Sequence, residues 1–358
     1  MRALLVLLLL ALTACSAPYD PTVAGGTDPE LRQGPVTSGL TARFFGVSTI
    51  LLSDGRTGIM TDGFFSRPKI SEISALRPDV YAIDWALAQG GVGRGEVKAV
   101  LVAHSHHDHA LDSATVAGKL DADVVGSVST CRILRAQSFP SGRTWLIGQD
   151  GGEVYQFGQV GEFKVRIFKS RHTPPPPPPF PPLLGDVDDD FEGPASVFKF
   201  REGGSFSFLI EHGDRRILIH PGTNLHADDQ YAGQQADVVF LGVALLARQG
   251  EAFARNYWNN VVIATGAKLV IPIHWDDIQR PIDKPVRFLG WPDDVPRSMK
   301  LIQKFAAETN GAVTVKFMRR FEPIDVLAAA GPGPVARKPL PPASVRQTCP
   351  ASSLSAGG

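Results

Sequence analysis

Cysteine is nearly missing from this sequence: Cys15, Cys131 and Cys349 are its three among 358 residues. None has a C-x-x-C or C-x-x-H neighbourhood, which excludes a structural zinc site built on thiolates. An exported protein could pair Cys131 with Cys349, but Cys349 falls in an irregular tail, so the disulfide is not the expectation. Net charge is missing too. Lys plus Arg and Asp plus Glu both number 36, so no overall field draws the chain to nucleic acid or to an anionic surface. The partner this leaves is a small molecule. Apolar runs are short: the longest, residues 3–12, has about half the roughly 20 residues that a spanning helix needs.

That run has a use even so. It follows Arg2 and has the length of the apolar region of an export signal. It ends in Leu12, Thr13, Ala14 and Cys15, which resembles the lipobox of bacterial lipoproteins. The resemblance implies cleavage after residue 14 and a lipid on Cys15, placing the protein outside the cytoplasm as a membrane-anchored lipoprotein of the cell envelope. An ordinary cleaved signal, with Cys15 incidental, gives the same compartment without the anchor. Residues 15–38, rich in Pro, Gly, Thr and Ser, read as a flexible spacer.

With 43% hydrophobic and 20% charged residues, the remainder can bury one large core, and a single domain is expected over residues 39–325. Strand-like patterning covers 40–52, a turn around Asp54-Gly55 follows, and 59–62 returns as a strand. Helix and strand signals then alternate: helix 80–88, strand 97–103, helix 110–120, strand 123–126, and a helix from Ser127. Later strands are expected at 162–169, 196–200, 206–211, 216–220, 237–243 and 268–273, with helices at 252–264 and 297–308. Hairpins mixed with crossover helices point to two sheets packed face to face with helices outside, a four-layer αββα sandwich. Six prolines, 174–179, read as a stiff polyproline II rod, either a spacer or a lid that carries Phe180, Leu183, Leu184 and Phe191. The tail 326–358, rich in Ala, Pro and Ser, reads as disordered.

The chemistry is concentrated in one place. Four of the nine histidines fall between His104 and His109, directly after the apolar stretch 99–103. His104 and His106, two apart while the chain is extended, point the same way and can hold one metal. Asp108 and His109, where the chain turns into a helix, can reach a second. A polar surface loop does not explain three imidazoles and a carboxylate at this spacing.

This H-x-H-x-D-H pattern resembles the signature of the metallo-β-lactamase superfamily, with matching positions from about residue 40 to about residue 321. The resemblance implies a binuclear zinc centre: His104, His106 and His172 on one Zn2+, Asp108, His109 and His274 on the other. Asp62, ahead of the signature, would accept a hydrogen bond from a ligand histidine and orient its ring. The sequence departs from the pattern where most members carry a bridging carboxylate, since residues 220–224 read His-Pro-Gly-Thr-Asn. Either His220 faces the metals, or a hydroxide alone bridges them; the second is preferred because His220, followed by proline, can simply pack.

The implied activity is hydrolysis, in which a metal-held hydroxide oriented by Asp108 attacks a carbonyl or phosphoryl centre. No nucleophilic serine or cysteine is required. Neighbouring Phe and Leu residues favour a partly apolar substrate such as a lactone, a β-lactam or an ester. Arg171, Trp275 and Asp276 could line the pocket, but packing or support of the ligands is the preferred reading for each. The di-iron branch resembles H-x-E-x-D instead, and imidazole at His106 favours zinc. The competing reading is a noncatalytic metal- or ligand-binding lipoprotein on the same scaffold.

Overall fold

The computed structural model describes residues 16–24, 29–148, 154–175, 183–333 and 347–349. The export signal, Cys15 and the proline rod beyond Pro175 lie outside the described residues. The first sheet is built from β1 (Thr41–Gly46), β2 (Thr49–Ser53), β3 (Gly58–Thr61), β4 (Val97–Leu101), β5 (Asp123–Gly126) and β6 (Thr144–Leu146). The second holds β7 (Val154–Val160), β8 (Phe163–Ser170), β9 (Ser205–His212), β10 (Arg215–His220), β11 (Val238–Gly242), β12 (Leu269–Ile273) and β13 (Thr314–Val315). Two late strands, β14 (Pro323–Ile324) and β15 (Gln347–Thr348), close the edges of the first sheet, whose order is β14-β1-β2-β3-β4-β5-β6-β15. The second runs β13-β12-β11-β10-β9-β8-β7.

Alternation along the strands of the first sheet separates two cores. Phe44, Ile50, Leu52, Ile59, Ala99, Leu101 and Val125 face the second sheet. Their neighbours Phe45, Leu51, Met60, Val100 and Val124 face helices, namely α1 (Val80–Gln89), α3 (Ser113–Leu120) and α4 (Val128–Ala136). Across the molecule, α5 (Glu251–Trp258) and α6 (Val295–Ala307) put Trp258, Ile302 and Phe305 against the second sheet. Two mixed sheets with helices outside make the expected αββα sandwich.

Several expectations need correction. The stretch 40–52 is a β1–β2 hairpin rather than one strand, because Gly46 and Val47 take positive φ and turn the chain mid-run. Residues 196–200 form a 3-10 turn, Val197–Lys199, fastened by Val197 N–H to the Ile73 carbonyl, with Phe200 stacked edgewise on Phe191. The supposed spacer 15–38 is docked where it is described. Ala17 accepts from Phe288 N–H, Leu31 donates to Phe317, and Tyr19 stacks on the buried Trp275. Its apolar side chains have partners in the domain, and burying them outweighs the freedom of the chain. The tail is not wholly irregular either. It forms α7 (Val326–Ala329), capped by Asp325, and returns at β15 to bring Cys349 into a disulfide with Cys131 of α4. Cysteines 218 residues apart give no sequence signal of that contact.

Candidate metal centre

The strands deliver the site residues at their C-terminal ends. β3 leads into Asp62, β4 into the 104–109 cluster, β8 into His172 and β12 into His274. Past β4 the chain stays extended, so His104 and His106 project to one side while Ser105 turns to the other and hydrogen-bonds Thr130 Oγ1 at 2.9 Å. The short helix α2 (His107–Ala110) then swings Asp108 and His109 round to the second position. His107, its first residue, points elsewhere, edgewise to Phe64 and Phe200.

Two donor triads result, His104 with His106 and His172, and Asp108 with His109 and His274, each with its ligand atoms within 4.8 Å of one another. The His104 and His109 rings lie 3.8 Å apart between centroids, so the triads are neighbours. Hydrogen bonds at the far side of the rings set which nitrogen faces inward. His106 Nε2 donates to the Leu183 carbonyl at 3.0 Å, leaving Nδ1 for the centre, 3.1 Å from His104 Nε2. His172 Nδ1 donates to the Thr173 carbonyl at 2.6 Å. His109 Nδ1 donates to Asp62 Oδ2 at 2.9 Å, leaving Nε2 to face His274 Nε2 at 3.2 Å. Nitrogen lone pairs converging at such distances need a shared proton or a cation between them, so the donor set fits a metal ion in each triad.

Electrostatics agree with that fit. Burial, then the surrounding imidazoles, holds His104 well below its usual range, and burial with His172 pushes His106 down to about 3. Both rings are therefore neutral at pH 7 and have a lone pair to give. Burial alone would raise Asp108, but His109 and the hydrogen bond to His274 outweigh it and hold the carboxyl well below its ordinary value. Burial lowers His109 and the Asp62 and Asp108 carboxylates outweigh it, so that ring is raised.

Asp62 takes the orienting position expected of it. It is fully buried, accepts from Ala103 N–H at 2.7 Å and from Ser48 Oγ at 2.5 Å, and so holds a fixed oxygen against His109. His220 is a different matter. Its Nε2 donates to the Asn224 carbonyl at 3.0 Å and its Nδ1 accepts from Tyr231 Oη at 2.6 Å, so both ring nitrogens are spent inside the protein and it cannot serve as an extra ligand. Burial pushes it down to about 4, which keeps it neutral. The loop that follows brings no carboxylate. Trp275 and Asp276 are packing residues, 2% and 0% exposed, and Arg171 is exposed.

Three contributors escaped the sequence reading. A serine in a tight turn, as at Ser48, has no signature, and the Leu183 carbonyl is main chain. Asp112 could have been noticed, four residues after Asp108. Fully buried, it accepts from the N–H groups of Phe65 and Ser66 and fixes the loop behind Asp62.

Residues 42–199 match the family model described as the metallo-beta-lactamase superfamily. No curated protein matches the sequence. Among solved structures, the chain is similar to Igni18, a metallo hydrolase from the archaeon Ignicoccus hospitalis, at 16% identity and a TM-score of 0.48, over 80% of this chain and 97% of that one. YhfI from Bacillus subtilis, a metallo-beta-lactamase fold protein, gives 11% identity, a TM-score of 0.44, and coverage of 78% and 96%. CmlA, a diiron β-hydroxylase from Streptomyces venezuelae, gives 13%, 0.47, and coverage of 81% and 54%. Likenesses this distant say nothing of substrate or metal. The matched residues contain the 104–109 signature, and with the paired sheets and triads above they give the chain the metallo-β-lactamase fold, which supports a metal-dependent hydrolase in general.

Proposed function

We propose that this chain is a binuclear zinc hydrolase acting on a carbonyl or phosphoryl centre of a small molecule of the lactone, β-lactam or ester class. The observation that carries the reading is the meeting of five imidazoles and one carboxylate in two adjoining triads. A nitrogen-rich donor set favours zinc over iron. Such a metal pair, when bound, supplies Lewis acidity and brings the pKa of a coordinated water from about 15.7 toward about 7. The chain's own residues do the rest. His104, His106 and His172 offer neutral donors on one side, and the Leu183 and Thr173 carbonyls fix two of those rings. Asp108, ionised and 3.4 Å from His274 Nε2, is placed to orient the attacking water and to receive its proton. Asp62 keeps the His109 ring in one tautomer and one orientation.

One observation favours the noncatalytic alternative: the loop after β10 contributes no carboxylate and His220 is turned away. Metal content of the purified chain, measured with hydrolysis of a β-lactam, lactone and phosphodiester panel, separates the two. The enzyme reading expects two zinc ions per chain and turnover of a panel member, with His106→Ala and His274→Ala each losing an ion and abolishing turnover. Two ions with no turnover favour the binding protein, and retained turnover in both variants overturns the metal mechanism.

The same proposal places the protein outside the cytoplasm with a lipid on Cys15. The Leu12 to Cys15 motif supports it, and so does the Cys131–Cys349 disulfide, since such bonds persist in oxidising compartments. Cys15→Ala is expected to move the protein from the membrane fraction to the soluble one; a variant that stays with the membrane overturns the anchor.

A further inference from the structure

Residues 16–24 and 29–31 do more than lead into the domain. Main-chain bonds fasten both pieces: Phe288 N–H to Ala17, Tyr19 N–H to Val286, and a reciprocal pair between Phe317 and the Pro29 to Leu31 stretch. Between these fastenings, the Tyr19 ring lies against the Trp275 indole with centroids 4.9 Å apart and planes 21° from parallel. Its hydroxyl donates to Glu30 Oε1 at 2.8 Å, and Arg319 holds the other oxygen of Glu30. Tyr19 is thus fixed at the main chain, at the ring and at the hydroxyl.

What it presses on is the residue after a donor of the second triad. His274 has φ +58, a conformation that a non-glycine residue keeps only when its flanks hold it. On one flank its own N–H donates to the Val47 carbonyl at 2.6 Å. On the other is Trp275, whose Nε1 donates to Pro272 and whose carbonyl accepts from Leu289. Phe44, Phe288 and Phe317 cover parts of the indole, with centroids between 5.2 and 5.7 Å away, while among the described residues only Tyr19 stacks near-parallel on it. A cleft of about 520 Å³, lined by Tyr19, Trp275, Pro18, Val286 and Arg320 among others, opens beside the pair.

We infer that Tyr19 is a positioning residue for the second metal half-site, acting through Trp275 to hold His274 on Asp108 and His109. The inference rests on the metal reading above. It assigns the segment before the domain a part in the chemistry of a centre whose donors all lie beyond residue 100, and it concerns one triad only. Among the described residues, no link of this kind joins His104, His106 or His172 to Trp275.

The test is a Co2+ titration of the full chain, followed by visible absorption, in two backgrounds. His106→Ala leaves the second triad whole, and His274→Ala leaves the first. Tyr19→Ala is expected to weaken Co2+ about tenfold in the first background and by less than twofold in the second. Tyr19→Phe, which keeps the ring and loses only the hydroxyl, restores the parent affinity. Should Tyr19→Ala fail to fold, Tyr19→Leu, which fills space without an aromatic face, bears the same expectation. An equal loss in both backgrounds means general loosening and overturns the inference, as does no loss in either. If the parent chain binds Co2+ in neither background, the metal reading itself fails and takes the inference with it.

Discussion

Asp112 shows how the centre is supported from behind. Burial pushes its carboxyl up to about 6, against the pull of Ser66 Oγ and the N–H groups of Phe65 and Ser66. An unfolded aspartate titrates near 3.9. Between about pH 4 and pH 6 the folded chain therefore keeps a proton that the unfolded chain has released, and stability falls as pH rises through that window. At two pKa units the loss is at most roughly 3 kcal/mol. Asp112→Asn keeps the neutral shape and removes the titration, so wild type should lose stability relative to the variant between pH 4 and pH 7. Urea denaturation of the metal-free proteins at each pH checks this, and parallel pH profiles would count against it. At this scale the 104–109 cluster stood out because imidazoles two and five apart in one strand-to-helix turn have no common structural use. Ser48 and the Leu183 carbonyl were not legible, since their roles come from what the fold sets beside them. His220 could be judged only once its two partners, Tyr231 and Asn224, were in place.

The two sheets are clipped together beside the site by a buried ion pair between elements far apart in sequence. Arg67 donates to Asp276 Oδ2 at 2.7 Å and to the Asp277 carbonyl at 2.7 Å, while Asp276 Oδ1 accepts from Val47 N–H in the β1–β2 turn. Gly46, at φ +115, makes room, for a Cβ there would run into the Arg67 guanidinium. Removing one partner of such a pair leaves an uncompensated buried charge. Arg67→Met is expected to cost about 3 kcal/mol by denaturant unfolding, and adding Asp276→Leu should recover part of it; an unchanged midpoint in the single variant would argue that the clip is idle. Element type was read well where periodicity was long, as in α1 and α6, and poorly where a turn sat inside an apolar run. Apolarity reports burial, while turning at Gly46 and Val47 is settled by backbone conformation and by the contacts waiting on either side.

Across the whole chain, the disulfide between Cys131 and Cys349 joins residues 218 apart. A link of that span removes much of the freedom of the unfolded chain, worth about 2–4 kcal/mol in typical proteins. Reduction should lower the denaturation midpoint accordingly, and an identical midpoint with and without reductant would mean that the bond adds nothing to stability. The ordered pieces at both ends also bear on how the domain is delimited: cutting at residue 38 removes Tyr19, and cutting at 325 removes Cys349. The sequence by itself pointed to the two-sheet sandwich and to the six residues that meet in the two triads, because local spacing and hydrophobic period act within a few residues and leave their mark there. Tertiary structure alone decided the docking of residues 16–24 and 29–31, the disulfide, the turning-away of His220 and the clip at Arg67. Each depends on groups brought together from distant parts of the chain, whose fit is set by packing geometry that no local pattern records.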